Sequence, residues 1–386
     1  MLVETLETTG TPSTALPALS PSLLSEKIRD AFSRFDTINI VLEPKHSPGN
    51  RIDYRLLGSV DYREGQAASF RFRLLDAGDG NIVWSQTLES DSFKGENAIT
   101  DRIVTSLATA LLQSYGVIRS RDRAKQLASN EGDPRYRCVL LAADALRSQQ
   151  LTEYEAARSC LERLTALDPS FAVGFSFLAV LYTREHQLGY TARPGDSPPL
   201  DRALRAARRA VELNPASSRA YVVLMVALFA RGDTAEAFAA GDKALALNPY
   251  DTLTLAEYGG RLILTDDLAR GMAMLRRAGE FGTIRPSWQH FYMFLGCYLA
   301  GDLHEASYQA SQITAEDYAF GYLAKALAAA AAGDAARARE AIDRLIALAP
   351  AWRDAPRQEL RRFIPNPGIV DRLGHDLAIA GLGGRS

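Results

Sequence analysis

Apolar residues follow two different spacings in the first third of the chain. Ser20 before Pro21 marks a helix start, and apolar residues then recur three or four positions apart as far as about Phe35. The spacing then falls to two in four short segments, which predicts four β-strands. Their apolar positions are Ile38, Ile40 and Leu42, then Tyr54, Leu56, Val60 and Tyr62, then Phe70, Phe72 and Leu74, and finally Ile82, Trp84 and Leu88. Turn-forming residues at 63–65 and 76–81 separate the last three strands, which favours antiparallel hairpins.

Helical spacing returns with Ile99, Ile103, Leu107 and Leu111. We therefore predict that residues 20–117 form a small α+β domain, with a four-stranded, mainly antiparallel sheet and two helices. Residues 1–19 are rich in Thr, Ser and Pro, so we expect a flexible linker, with a short edge strand as the alternative. The charged residues 118–134 are expected to be a connector, either a helix or a hinge.

From Pro134 onward the helical pattern repeats. A Leu-Asp-Pro or Leu-Asn-Pro phrase ends at Pro169, Pro215 and Pro249, and the last interval is 249 − 215 = 34 residues. A related Leu-Ala-Pro phrase ends at Pro350. We predict about six helical hairpins over residues 135–350, an all-α solenoid, followed by capping helices and a flexible tail over residues 351–386.

A second regularity marks the turn inside each hairpin. Glycine precedes alanine by five positions in three copies: Gly232 and Ala237, Gly301 and Ala306, Gly333 and Ala338. The glycine is expected to end the first helix with a positive φ, and the alanine to allow close approach of the second helix. The copy ending near Pro286 has Gly271 where the alanine is expected.

These residues resemble the tetratricopeptide family. Tyr221 and Leu224 stand where that family places its first-helix aromatic and leucine, Ala237 where the two helices cross, and Ala244 in the second helix. The resemblance implies a surface for binding a partner protein, lined by the first helix of each hairpin.

The order of elements resembles a longer architecture as well. The phrases GSVDYREGQ and FRFRLLDAGDGNIVWSQTLES, followed by divergent repeats, are similar to the regulatory region of some bacterial class III adenylate cyclases and of certain winged-helix regulators. That resemblance implies a sensory or partner-binding module. Because this chain has no catalytic or DNA-binding domain of those kinds, neither activity follows from it.

Projecting the repeat positions inward selects candidate contacts for a protein or peptide partner. The predicted groove residues are Arg184, Arg219, Phe229, Arg261, Trp288, Phe291 and Tyr298. The alternative for Phe229 and Phe291 is a place in the core, and for the arginines a solvated face. The repeat that ends at Pro215 is 12 residues longer than the 34-residue one, since 215 − 169 = 46 and 46 − 34 = 12, and the loop of residues 186–201 is expected to hold the insertion. The loop adds Tyr190, Arg193 and Asp196 as candidates.

The composition and charge of the chain bear on its expected partners and compartment. With 44 basic and 46 acidic residues the net charge is −2, so nucleic acid and anionic lipid are not expected partners. No segment has the length and apolarity of a membrane span, and the first residues do not have the pattern of a secretory signal. Cys138, Cys160 and Cys297 are expected to be free, buried thiols, and the cytoplasm the expected compartment.

No motif indicates catalysis. The five histidines are dispersed, and His304-Glu305 is followed by Tyr308 where a zinc-protease motif would have its second histidine. There is no phosphate-binding loop and no nucleophile elbow, so we expect no metal, no cofactor and no enzyme activity. The predicted function is a scaffold or regulatory adaptor that binds a partner. The alternatives are a regulatory subunit separated from its cyclase or transcription-factor domain, and an enzyme with a site between the two domains.

Overall fold

A computed structural model describes the chain except for residues 11–19, 37, 43–51, 63–66, 91–95, 114–115, 129–132, 149, 282–284 and 383–386. It divides into two compact units. The first comprises Met1–Asn130 together with Leu247–Thr252, and the second Glu131–Ala246 together with Leu253–Ser386. No helix of the described residues is long and apolar enough to cross a membrane.

The described part of the first unit contains a five-stranded mixed sheet and three helices. The strands are β1 (Leu2–Val3), β2 (Glu7–Thr9), β3 (Tyr54–Asp61), β4 (Ser69–Asp76) and β5 (Ile82–Glu89), and the helices are α1 (Pro21–Ser33), α2 (Glu96–Leu112) and α3 (Val117–Ala128). β3, β4 and β5 are antiparallel neighbours, whereas β1 and β2 both pair in parallel with β3. Inward side chains of β3 and β4 share one apolar core with α1 and α2.

The predicted first strand was wrong, and so was the prediction of four strands. At Ile38, Ile40 and Leu42 the described backbone makes only an isolated bridge between Val41 and Leu2. The edge of β3 is taken instead by β1 and β2, from the segment expected to be a linker. The apolar side chain of Val3, with 1% of its surface exposed, anchors that segment in the core. The pairing of β1 and β2 with β3 confirms the edge-strand alternative.

The other strands and the helices around them agree with the pattern. The Ser20 side chain caps α1 by accepting from the backbone of Leu23, next to Pro21 at the first helical position. Residues 76–81 form the predicted turn, with Gly80 at φ 73°, whereas the turn at 63–65 lies outside the described residues. The segment expected to be a helix or a hinge contains α3, whose Lys125 pairs with Asp76 at 2.7 Å.

Among the described residues, six helical hairpins lie between Pro134 and Leu348, all in the second unit except residues 247–252. They are α4 (Pro134–Ser148) with α5 (Leu151–Leu167), α6 (Ala172–Leu188) with α7 (Pro199–Leu213), α8 (Ser218–Arg231) with α9 (Thr234–Leu247), α10 (Thr252–Leu264) with α11 (Leu268–Gly279), α12 (Ser287–Ala300) with α13 (Leu303–Ser311), and α14 (Ala319–Ala331) with α15 (Ala335–Leu348). Three shorter helices follow: α16 (Ala351–Asp354), α17 (Pro356–Arg361) and α18 (Pro367–Ile379).

The glycines predicted to turn the hairpins have the expected conformation. Gly232, Gly301 and Gly333 have φ of 95°, 84° and 76°. The alanines five positions later are buried where the helices pack. Glycine removes the steric cost of positive φ, and alanine lets the two backbones approach.

The fourth hairpin is built differently. Asp266 takes the place of the turn glycine and keeps the left-handed backbone, with φ of 74°. A Cβ at Gly271 would lie 2.7 Å from the backbone oxygen of Gly259. The helices α10 and α11 are therefore too close for the alanine that other copies use.

The residues after the last hairpin cover its apolar face, as capping requires. Trp352 and Leu373 are buried in the same core as α14 and α15, and Phe363 packs against that core. The insertion is shorter than predicted: α6 continues to Leu188 and α7 begins at Pro199, so the ends of the predicted loop are helical.

The prediction of three free thiols was wrong for two of them. Cys138 on α4 and Cys160 on α5 form a disulfide, with their Cα atoms 5.6 Å apart, while Cys297 is free and buried. The antiparallel packing of the first hairpin brings the two positions within the range that a disulfide spans. This pairing removes the free-thiol argument for a reducing compartment.

Candidate functional site

Four of the seven predicted groove residues have their side chains largely buried. Phe229, Phe291 and Tyr298 belong to the apolar core of the later hairpins, and Arg261 is buried beside them. This burial agrees with the core alternative for the two phenylalanines. Their role as partner contacts stays a prediction.

Phe291 contacts the last hairpin, and Tyr298 contacts the helices that follow it. The ring of Phe291 lies 4.9 Å from that of Phe320 between centroids. Tyr298 donates its hydroxyl proton to Asp376 on α18 at 3.0 Å, and the Arg372 guanidinium lies over the Tyr298 ring. Both residues therefore help to hold the last elements together.

A second group of predicted residues meets around Tyr292, a residue that the sequence analysis missed. Trp288 is half-buried and packs edge to face against Tyr292, with ring centroids 6.0 Å apart. Tyr292 also packs closely against Gly260, whose Cβ, if present, would lie 2.6 Å from the ring. The position could have been found from helical spacing, because it lies four residues after Trp288 on α12.

The charges of two arginines affect the pKa of Tyr292. Burial raises the pKa of Tyr292, and the positive charges of Arg261 and Arg184 oppose that rise. Arg261 donates to the Glu257 carbonyl at 2.8 Å and to its carboxylate. The Arg261 Nε is buried and has no hydrogen-bond partner among the described residues. Trp288, Tyr292, Arg261 and Arg184 are hereafter the Tyr292 cluster.

Arg219 contacts a different part of the array. Its guanidinium lies 5.4 Å from the ring centroid of Phe177, a cation–π contact between α8 and α6. Arg184, which is half-buried, also donates to Gln187 within α6 at 2.9 Å.

The three loop candidates contact a partly buried network of charged and aromatic side chains. Asp196 accepts from Arg158 at 2.6 Å, and Arg193 donates to Glu162 at 3.1 Å. The Tyr190 ring lies 5.1 Å from the ring of Tyr154. The loop is thereby joined to α5 by two ion pairs and an aromatic contact.

Glu185 lies at the centre of this network, with 1% of its surface exposed. Its carboxylate accepts from Arg202 at 2.5 Å, from Arg158 at 3.3 Å and from the hydroxyl of Tyr154. Burial and this hydrogen bond raise the pKa of Tyr154. Arg158, Arg193 and Arg202 balance Glu162, Glu185 and Asp196, so the network is electrically neutral.

Two observations concern metal and thiol chemistry among the described residues. These residues contain no group of three or more His, Cys, Asp or Glu side chains that could hold a metal ion. Burial raises the pKa of the free thiol, Cys297, to about 11, which leaves it protonated and a poor nucleophile near neutral pH. The arrangement is suited to binding by aromatic and guanidinium groups.

No protein-family model matches the chain, and no curated protein matches it significantly. Several solved structures are similar at low identity. PilW, a type IV pilus biogenesis factor, is 22% identical with a TM-score of 0.41, over 57% of this chain and 96% of that one. The human IFIT1 dimer with m7Gppp-AAAA is 18% identical with a TM-score of 0.49, over 67% of this chain and 60% of that one. YrrB, a TPR protein with an unusual peptide-binding site, is 19% identical with a TM-score of 0.33, over 49% and 92%.

These TM-scores are all below 0.5 and carry no argument about function. The resemblance to the tetratricopeptide family rests on the turns and crossing residues of this chain. The comparisons do not support the resemblance to adenylate cyclase regions or winged-helix regulators.

Proposed function

We propose that the helical array is a binding module that holds a segment of a partner protein, with the Tyr292 cluster as its anchor. The observation that carries the proposal is the cluster itself. A half-buried tryptophan packs against a tyrosine, and the charge of a buried arginine acts on that tyrosine. Tryptophan, tyrosine and arginine are the residue types that most often anchor interfaces.

The energetic argument rests on the accessible members of the cluster. Trp288 and Tyr292 are half-buried, so a bound segment that covered their remaining surface would gain apolar contact area. Arg261 is buried, and its role is to act on Tyr292 through its charge.

Site-specific crosslinking tests this function. A photo-crosslinking amino acid replaces Trp288 in one variant and Tyr308 on α13, which is 53% exposed, in the control. We expect one defined protein to be captured from source cells through position 288 and not through position 308. The captured segment, synthesised as a peptide, should bind the wild type and should bind Trp288→Ala at least about tenfold more weakly. Equal capture at both positions, or equal affinity for wild type and variant, contradicts the proposal.

The second candidate is a regulatory subunit of a nucleotide cyclase or transcription regulator, acting through the first unit. The described residues of the phrases that suggested it lie mostly in β3, β4 and β5, an antiparallel meander with a register shift between Leu74 and Leu75. Under this proposal the captured protein would be an orphan cyclase or winged-helix domain, and residues Met1–Asn130 would be needed for its capture.

A further inference from the structure

A cleft of about 480 Å³ lies between the end of α6 and α17. It is lined by Glu185, His186, Gly189, Tyr190, Pro199, Gln358, Arg361 and Arg362. The first five belong to the second hairpin and its loop, and the last three to the helices after the final hairpin. Its volume falls within the range of about 300–1,000 Å³ that small-molecule sites occupy.

The α17 side of the cleft carries positive charge. Arg362 packs against Gly189, where a Cβ would lie 2.0 Å from its Nη1, and its nearest carboxylate oxygen is that of Glu359 at 3.5 Å. Arg361 is exposed and has no ion-pair partner among the residues that the structure describes. The negative charge of Glu359 offsets that of Arg362, so the positive charge of Arg361 is left without a neighbouring carboxylate in the described part of the chain.

The opposite side of the cleft does not cancel that charge. The Glu185 carboxylate is already bonded to Arg158 and Arg202 and adds no free negative charge. Burial lowers the pKa of His186, and the charge of Arg362 lowers it further, so this imidazole is neutral at pH 7. Tyr190 and Pro199 give the cleft an aromatic and an aliphatic wall.

We propose that this cleft binds a small organic carboxylate. Its charged group pairs with Arg361 and Arg362, and its flat apolar body lies against Tyr190. A single unmatched positive charge suits a monoanion, and guanidinium groups bind carboxylates with paired hydrogen bonds. The site is separate in residues from the Tyr292 cluster, so the proposal goes beyond the partner-binding function and does not depend on it.

Calorimetry with benzoate and its neutral analogue benzamide tests the proposal on the full chain. We expect benzoate to bind the wild type and benzamide to bind at least about tenfold more weakly, because it lacks the charge. The double variant Arg361→Gln/Arg362→Gln should lose at least about tenfold in benzoate affinity. Arg353→Gln removes an equal charge from the exposed surface of α16 outside the cleft and should bind as the wild type does.

Replacing Arg362 could disturb the fold, because Arg362 packs against Gly189. The single variant Arg361→Gln avoids this problem, because Arg361 is exposed. It should weaken benzoate binding while leaving the helical circular dichroism unchanged. Equal binding of benzoate and benzamide, no loss in the arginine variants, or no heat with benzoate up to about 10 mM would each overturn the proposal. So would binding of an acetylated, amidated Asp-Glu tetrapeptide through the same arginines without benzoate binding, which would assign the cleft to an acidic protein segment.

Discussion

At the residue scale, single backbone positions decide where each hairpin turns. Gly301 and Gly333 directly precede the aspartates that cap α13 and α15, and both have positive φ. In the fourth hairpin Asp266 holds the same place before the capping Asp267, with φ of 74°. A side chain in this region of backbone space costs energy that glycine avoids.

Asp266→Gly is therefore expected to stabilise the protein by about 1 kcal/mol, because it removes the strain of a Cβ at positive φ. Urea unfolding followed by circular dichroism measures the change. Gly232→Ala is the reciprocal control, since it adds a Cβ at φ 95° with open space around it, and it should destabilise by a similar amount. A lower urea midpoint for Asp266→Gly would contradict the role given to this turn.

The buried network around Glu185 makes a second residue-scale prediction. Glu185→Gln keeps the shape of the side chain and leaves Arg158 and Arg202 without their shared charge partner, so we expect a loss of about 3 kcal/mol or more. Glu155→Gln, at an exposed position of α5, should change the unfolding free energy by less than about 0.5 kcal/mol. Equal unfolding curves for the two variants would show that the network does not stabilise the fold.

At the scale of elements, the hairpins differ in the residues that let their two helices approach closely. Three use a buried alanine at the helix crossing, and the fourth uses the paired backbones at Gly259 and Gly271. The first is also held by the disulfide between Cys138 and Cys160. A covalent link of this kind stabilises mainly by restricting the unfolded chain.

Thiol counting and unfolding test the disulfide together. At pH 8 without reductant, the native protein should show no reactive thiol, because Cys297 is buried and its pKa is raised to about 11. The urea-unfolded protein should show one thiol before reduction and three after it. Cys160→Ala, which opens a link between residues 22 apart, should lower the unfolding free energy by about 3 kcal/mol. Three thiols in unreduced, unfolded protein would exclude the pairing.

At the scale of the whole molecule, stability is distributed over separate apolar cores. One core joins the first two hairpins to part of α8, and another extends from α7 and α8 through the last hairpin to α16, α17 and α18. The sheet of the first unit has a core of its own. In arrays of this kind each hairpin contacts mainly its neighbours, so damage at one end is expected to stay local.

Hydrogen exchange on two matched variants tests that expectation. Leu373→Ala in α18 and Leu161→Ala in α5 both remove a fully buried side chain and should each cost about 2–5 kcal/mol. Protection should fall mainly in α14 and α15 for the first variant, and mainly in α4 and α6 for the second. Uniform loss of protection across the chain in both variants would show instead that the unit unfolds as one cooperative body.

The sequence by itself determined the elements with strong local patterns. Strands β3, β4 and β5, the six hairpins and the turns at Gly232, Gly301 and Gly333 could all be predicted, because periodicity and positive φ depend on residues close together in the chain. The shorter loop after α6 could be placed only approximately, since element ends are set by packing as much as by pattern.

Only the tertiary structure decided which distant residues meet. β1 and β2 pair with β3, and Cys138 is linked to Cys160, although no periodic pattern in the sequence connects these positions. The burial of Arg261 also depends on residues far from it in the chain. The same reason explains the candidate sites. Trp288 could be chosen as an aromatic on a first helix, and its contact with Tyr292 follows from helical spacing within α12. The approach of Arg261 to Tyr292 and the cleft shared by Tyr190 and Arg361 depend instead on packing between elements far apart in the chain.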